Sequence, residues 1–228
     1  MAEKKEKKDR RTFSAVLSSF LEKNRKAVWI VFIVILVAFI AFLTLFFVNS
    51  KSSEKTLAMV DQISFELTNE SYSLADSELA SRRSDAKTAL DPLVGKSGVG
   101  GVRANMLMAE IAYQEKNYND AVKYWTAAAN KGKKSYTAPL AYFNIASCLE
   151  ETGNLDEACV NYKKAADTSD FLMKSHAMFS YGRVLETSGK YAEAGEAYKA
   201  LNDASPNDTW SNLAKTRLID LKLQGKIE

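Results

Sequence analysis

The sequence predicts an all-α chain: a single N-terminal transmembrane helix followed by an α-solenoid of about three clear helical repeats, with a degenerate N-terminal helical pair before them and a C-terminal capping helix after. Three observations carry this. Residues 28–48 form one uncharged apolar run, a hinge motif recurs at spacings of 37 and 36, and the 228 residues include only three Pro and ten Gly, too few turn formers for a β-sandwich. The chain divides into a basic cytoplasmic tail with a short amphipathic helix (1–27), the span (28–48), the degenerate pair with a Gly-rich linker (49–101), and the repeats with their cap (102–228).

Charge is unevenly placed. The whole chain carries +3, but residues 1–27 hold nine basic and four acidic side chains, while the body after the span holds 22 basic and 24 acidic. A body of that balance is no nucleic-acid-type polycation, and the basic tail lacks aromatic interleaving, so nucleic acid is not an expected partner. In the tail, Lys4, Lys5, Lys7, Lys8, Arg10 and Arg11 precede Phe13, Val16, Leu17, Phe20 and Leu21, which recur on one face of a helix. That 13–21 helix can lie on an anionic leaflet.

Of the 21 residues in the span, 17 are Val, Ile, Leu or Phe. A helix of this length is about 30 Å long, the thickness of a hydrocarbon core. Insertion is favoured by about 7 kcal/mol on a translocon scale. A cleaved signal sequence is the rival reading, but its apolar core is normally much shorter. Lys23, Arg25 and Lys26 precede the run, whereas Lys51 and Lys55 behind it are balanced by Glu54 and Asp61. The positive-inside rule therefore puts the N-terminus in the cytoplasm and the body across the membrane, with Trp29 at the cytoplasmic interface.

In the body, three segments superimpose: Glu115-Lys116-Asn117-Tyr118-Asn119-Asp120-Ala121, Glu151-Thr152-Gly153-Asn154-Leu155-Asp156-Glu157-Ala158 and Ser188-Gly189-Lys190-Tyr191-Ala192-Glu193-Ala194. A small residue stands one helix upstream of each Ala (Ala109, Ala146, Gly182) and an aromatic follows it (Trp125, Tyr162, Tyr198). Two helices cross closely only where facing residues are small, and the aromatics are expected to fill the space against the next unit. Pro206 ends the third unit, and Trp210, Leu213 and Ala214 open a capping helix. Before the first repeat, Leu57, Val60, Ile63 and Leu67, then Ala86, Ala89, Leu90 and Leu93, show helical periodicity without a hinge. Gly95, Gly98, Gly100 and Gly101 read as a flexible break.

Chemistry is sparse. One His and two Cys exclude the common zinc sites, and no metal or cofactor is expected. Gly95-Lys96-Ser97 lacks the Gly that a phosphate-binding loop needs at Leu90, and Gly98-Val99-Gly100-Gly101 fails the dinucleotide pattern. His176 has no nucleophile at a recognisable spacing, so no enzyme is expected and no catalytic residue is named. Cys148 and Cys159 flank the second hinge; a bridge and two buried thiols both remain open.

The hinges, small pairs and trailing aromatics resemble tetratricopeptide repeats, with Lys116 in place of the usual Gly and Leu155 in place of the usual Tyr. The whole arrangement resembles the bacterial inner-membrane family that includes the ancillary subunit of the Sec translocon. That resemblance implies a single-pass protein with periplasmic repeats that assists the translocon and hands exported proteins to chaperones. The alternative is a structural scaffold for an envelope assembly or division complex. A eukaryotic organelle receptor anchored the same way is a further reading.

The resemblance also implies that five recurring positions of each first helix line a concave, partner-binding groove. On this chain they are Arg103, Met106, Glu110, Tyr113 and Gln114; Leu140, Phe143, Ser147, Glu150 and Glu151; and His176, Phe179, Arg183, Glu186 and Thr187. The expected partners are other proteins (translocon, chaperones or exported clients), with lipid met through residues 28–48 and the 13–21 helix. The groove lacks a Lys/Arg clamp for acidic C-terminal peptides and suits an extended segment or helix with apolar anchors. Each apolar member reads equally well as a core contact.

Overall fold

The computed structural model describes residues 13–133 and 135–228. Among them are ten α-helices and no strand: α1 (Phe13–Lys23), α2 (Arg25–Thr68), α3 (Asp76–Val94), α4 (Gly98–Gln114), α5 (Tyr118–Lys131), α6 (Thr137–Glu151), α7 (Leu155–Ala166), α8 (Lys174–Thr187), α9 (Tyr191–Ala204) and α10 (Thr209–Leu223). The chain forms two units that divide between Asn49 and Ser50.

In the first unit, α1 leaves Leu17, Phe20 and Leu21 exposed. The basic residues Lys4 to Arg11 lie outside the described residues, as do the side chains of Phe13 and Val16. The apolar stretch of α2 is long enough to cross a membrane, and none of its most apolar window is buried within the protein.

The second unit is a stack of helical hairpins. Pairs α4/α5, α6/α7 and α8/α9 are the three repeats, and α10 packs on the last. All three small pairs are fully enclosed: Ala109 with Ala121, Ala146 with Ala158, and Gly182 with Ala194. The hinges share one backbone solution. Lys116, Gly153 and Gly189 take positive φ (59°, 77° and 75°), and the next amide closes onto a carbonyl five residues back, as in Asn117 N to Ala112 O at 2.8 Å. This closure satisfies a helix-terminal carbonyl, and only Gly adopts the left-handed conformation without strain. Gly225 repeats the turn after α10, with φ 66°.

Two expectations are corrected. The aromatics do not simply face the next unit: Tyr198 lies on Gly182 of its own repeat, where an added Cβ would sit 2.6 Å from the ring. Nor is the 95–101 stretch a flexible linker. It enters α4 at Gly98, and Gly100 and Gly101 are buried because other backbone runs where side chains would be. A Cβ on Gly100 would meet Thr56 at 2.6 Å, and one on Gly101 would meet the Lys96 carbonyl at 1.8 Å. Isolated Gly marks close backbone approach as readily as a loop. The degenerate pair is helical, with Val60, Ile63 and Leu67 of α2 packed with Ala86, Leu90 and Leu93 of α3 and Ala104, Leu107, Met108 and Ile111 of α4.

Candidate functional site

The structure sorts the fifteen expected groove residues into four groups. Met106 and Phe143 are buried in the core. Phe143 packs edge-on to Tyr162 (centroids 5.2 Å apart) and against Phe171 (6.5 Å) and His176 (4.7 Å), so it forms the floor of a cleft rather than an open anchor.

A second group holds the repeats to one another. Arg183 grips the Glu150 carboxylate with both guanidinium nitrogens, one bond at 2.8 Å, while the Tyr162 hydroxyl donates to the same carboxylate at 3.1 Å. The pattern recurs one repeat on: Arg217 grips Glu186 (Nε to Oε2, 3.2 Å) and the Tyr198 hydroxyl donates to it at 3.0 Å. Each triad joins an acid of one first helix, the aromatic of its own second helix and an Arg of the following first helix. Burial and the adjacent carboxylate push both phenols well above the usual tyrosine range, and the bond to Glu150 raises Arg183, so both phenols keep the protons they donate and Arg183 keeps its charge near neutrality.

Other members are engaged more loosely. Arg103 pairs with Asp61 at 3.4 Å, and Gln114 accepts from Arg83 at 3.2 Å. The hydroxyls of Tyr113 and Ser147 stand 3.4 Å apart, and Tyr118 donates to Glu151 at 3.2 Å. Glu110 and Thr187 are exposed, and Leu140 is half-buried.

The fourth group opens onto a cleft of about 390 Å³ among α6, α7, α8 and α10, lined by Phe143, Ser147, Glu150, Glu151, Tyr162, His176, Phe179, Ser180, Arg183 and Trp210. His176 stacks flat on Trp210, with centroids 3.8 Å apart and an angle of 5°, and Phe179 lies 5.4 Å from Trp210 and 5.7 Å from Tyr198. Burial and the Arg183 charge hold His176 below the ordinary histidine range, which keeps this wall neutral. An apolar aromatic wall beside fixed charges has the room and the chemistry to take one or two large side chains.

Trp210 and Arg217 are missing from the sequence-based set although the signal was present. They occupy in α10, one helix beyond the third repeat, the register that His176 and Arg183 hold in α8. Cys148 and Cys159 are buried free thiols, and burial pushes the Cys148 thiol up to about 11, which suits small apolar packing residues.

Stacked helical hairpins with a side-chain-sized aromatic cleft define a protein-interaction scaffold of the repeat class. Residues 18–225 match the tetratricopeptide repeat-like domain, so the chain belongs to that family, whose domains generally bind other proteins. A TPR repeat-containing protein of Treponema pallidum (strain Nichols) is 33% identical over 130 residues, covering 57% of this chain and 54% of that protein. The chain thus spans about half the length of the curated relative it matches.

Proposed function

We propose that the chain is a single-pass inner-membrane protein whose repeats, on the periplasmic side, capture polypeptide segments in the Phe179–His176–Trp210 cleft, assisting the Sec translocon and passing exported proteins to chaperones. The observation that carries the binding role is this cleft, where three half-buried rings stay open to a partner while the neighbouring charges are held in the two triads. The anchor rests on the uncharged 28–48 run, the orientation on the basic head, and the translocon and chaperone roles on the resemblance described above.

Two experiments test this reading. A photocrosslinker at Ser147, on the cleft wall, should capture translocon subunits or exported clients in cells. The double substitution Phe179→Ala with Trp210→Ala should cut that capture at least about tenfold at matched expression, since each aromatic anchor carries about 2 kcal/mol. Unchanged capture moves the binding site elsewhere. For topology, a reporter active only in the periplasm should work when fused after Glu228; activity of a cytoplasm-only reporter at that position overturns the orientation.

A further inference from the structure

We propose that the edge of the solenoid formed by the turns between repeats is a lipid-contact surface, which lays the repeats against the anionic headgroups of the bilayer that holds the 28–48 helix. Val99, Tyr136 and Leu172 stand at one register, equally far ahead of the hinge residues Ala121, Ala158 and Ala194. Each opens the first helix of its repeat or the turn before it, so all three fall on one edge of the stack. All three are exposed, at 60%, 65% and 102% of full accessibility, although nothing in the packing of a repeat calls for a large apolar side chain there. Singly, exposed apolar residues mean little; repeated at one register they form a row.

The row is set among cations. Residues 95–99 and 131–137 contain Lys96, Lys131, Lys133 and Lys134 and no acid. Lys131 donates to the carbonyls of Lys96 (3.0 Å) and Gly95 (3.4 Å) and has no carboxylate partner among the described residues. Lys96 and Lys133 form no ion pair among the described residues. Between Val99 and Tyr136 lies a mostly apolar cleft of about 300 Å³, lined by Gly98, Val99, Val102, Arg103, Lys131, Gly132, Ser135, Tyr136 and Thr137, with no carboxylate on its wall. The third turn is close to neutral: Asp167 pairs with Lys163 at 3.4 Å, and Asp170 is offset in sequence by Lys174. It contributes chiefly Leu172. The opposite edge, made by the hinges, carries Glu115, Asp120, Glu151, Asp156, Glu157 and Glu193 against Lys116 and Lys190. Aliphatic and aromatic tips among unpaired lysines on one edge, and carboxylates on the other, are the composition of a face that meets an anionic interface.

The chain itself supplies the lipid. Gly98 packs against Ser53, whose Oγ would lie 2.4 Å from an added Cβ, and Gly100 N–H donates to that oxygen at 3.4 Å. Ser53 is five residues beyond Val48, the last residue of the apolar run. Even a fully extended chain of that length reaches only about 18 Å. On the membrane-anchored reading proposed above, this short tether keeps the basic, apolar edge at high effective concentration of headgroups.

The test uses the full chain reconstituted in vesicles of phosphatidylcholine with a one-third share of phosphatidylglycerol, some headgroups carrying a nitroxide quencher. A dye is placed on Lys133→Cys or, as the opposite-edge control, on Glu157→Cys; the buried Cys148 and Cys159 stay unlabelled in the folded protein. The dye at 133 should be quenched at least about twofold more than the dye at 157. That excess should fall in phosphatidylcholine alone, in high salt, and in the variant combining Val99→Ser, Tyr136→Ser and Leu172→Ser, whose exposed positions leave helicity unchanged. Equal quenching at the two positions overturns the proposal. So does an excess that survives all three changes, because tethering alone then accounts for it, and so does quenching at 133 that drops as protein is packed more densely, because a second copy then covers the edge.

Discussion

Replacing Tyr198 by Ala is expected to lower the stability of the solenoid by about 4 kcal/mol, the usual cost of deleting a large buried aromatic. Its ring is fully buried, lies on Gly182 and touches Phe179, and no neighbour can refill the volume, because Gly182 has no side chain to extend. Tyr198→Phe separates packing from polarity. It keeps the ring and removes only the hydroxyl's bond to Glu186, which remains gripped by Arg217. That variant should lose about 1 kcal/mol. Urea unfolding of the detergent-solubilised full chain, followed by far-ultraviolet circular dichroism, reads both. Equal losses for the two variants would place the stabilisation in the hydroxyl and contradict the packing account.

Gly101→Ala is expected to cost about 3 kcal/mol, at the upper end of overpacking penalties. Helix propensity alone argues the opposite sign, since Ala is favoured over Gly by about 1 kcal/mol inside a helix. Geometry decides: the new Cβ would sit 1.8 Å from the Lys96 carbonyl oxygen and 2.6 Å from its carbon, and a backbone carbonyl cannot turn aside as a side-chain tip can. Gly95 is the control, because its φ is −77° and nothing lies within 4 Å of its Cβ position. Gly95→Ala should be neutral or slightly stabilising. If both substitutions shift the unfolding midpoint alike, the close approach of α4 to the preceding turn is wrong.

Those two positions also show why the sequence was legible in some places and misleading in others. The hinge motif could be read directly because it is local: a left-handed residue, a closing amide and an Ala four or five residues on are all fixed by neighbours in the chain. The enclosed Ala and Gly pairs followed from spacing alone. Gly98 to Gly101 misled because one residue type serves two opposite needs, freedom in a linker and thinness in a crossing, and only the approach of Ser53 and Thr56 tells them apart. At the site, register placed His176 and Phe179 in a cleft, but it could not show that Phe143 lies beneath them. Nor could it show that Glu150 bonds to Arg183 and Glu186 to Arg217 across the junctions, since that depends on how far each hairpin turns relative to the last. Pairs of Glu and Arg at one register in successive first helices were the available trace.

The triads give the junctions between repeats unequal character. Second to third repeat is joined by Glu150–Arg183 and by Asp156–Lys190 at 2.7 Å, and third repeat to cap by Glu186–Arg217 and by Lys226 over the Tyr191 ring at 4.2 Å. First to second has the Tyr113–Ser147 contact, the Tyr118–Glu151 bond and a shared buried core of Trp125, Ala128, Ala141, Ile145 and Cys148, and no ion pair among the described residues. In a quasi-one-dimensional stack, cooperativity is set by nearest-neighbour coupling, and the first junction rests on apolar packing where the other two add charge pairs. Added salt weakens the other two junctions and leaves that one nearly untouched. Ionic strength therefore acts on the junctions unequally: the two that carry charge pairs lose coupling as salt rises, and the apolar one keeps it.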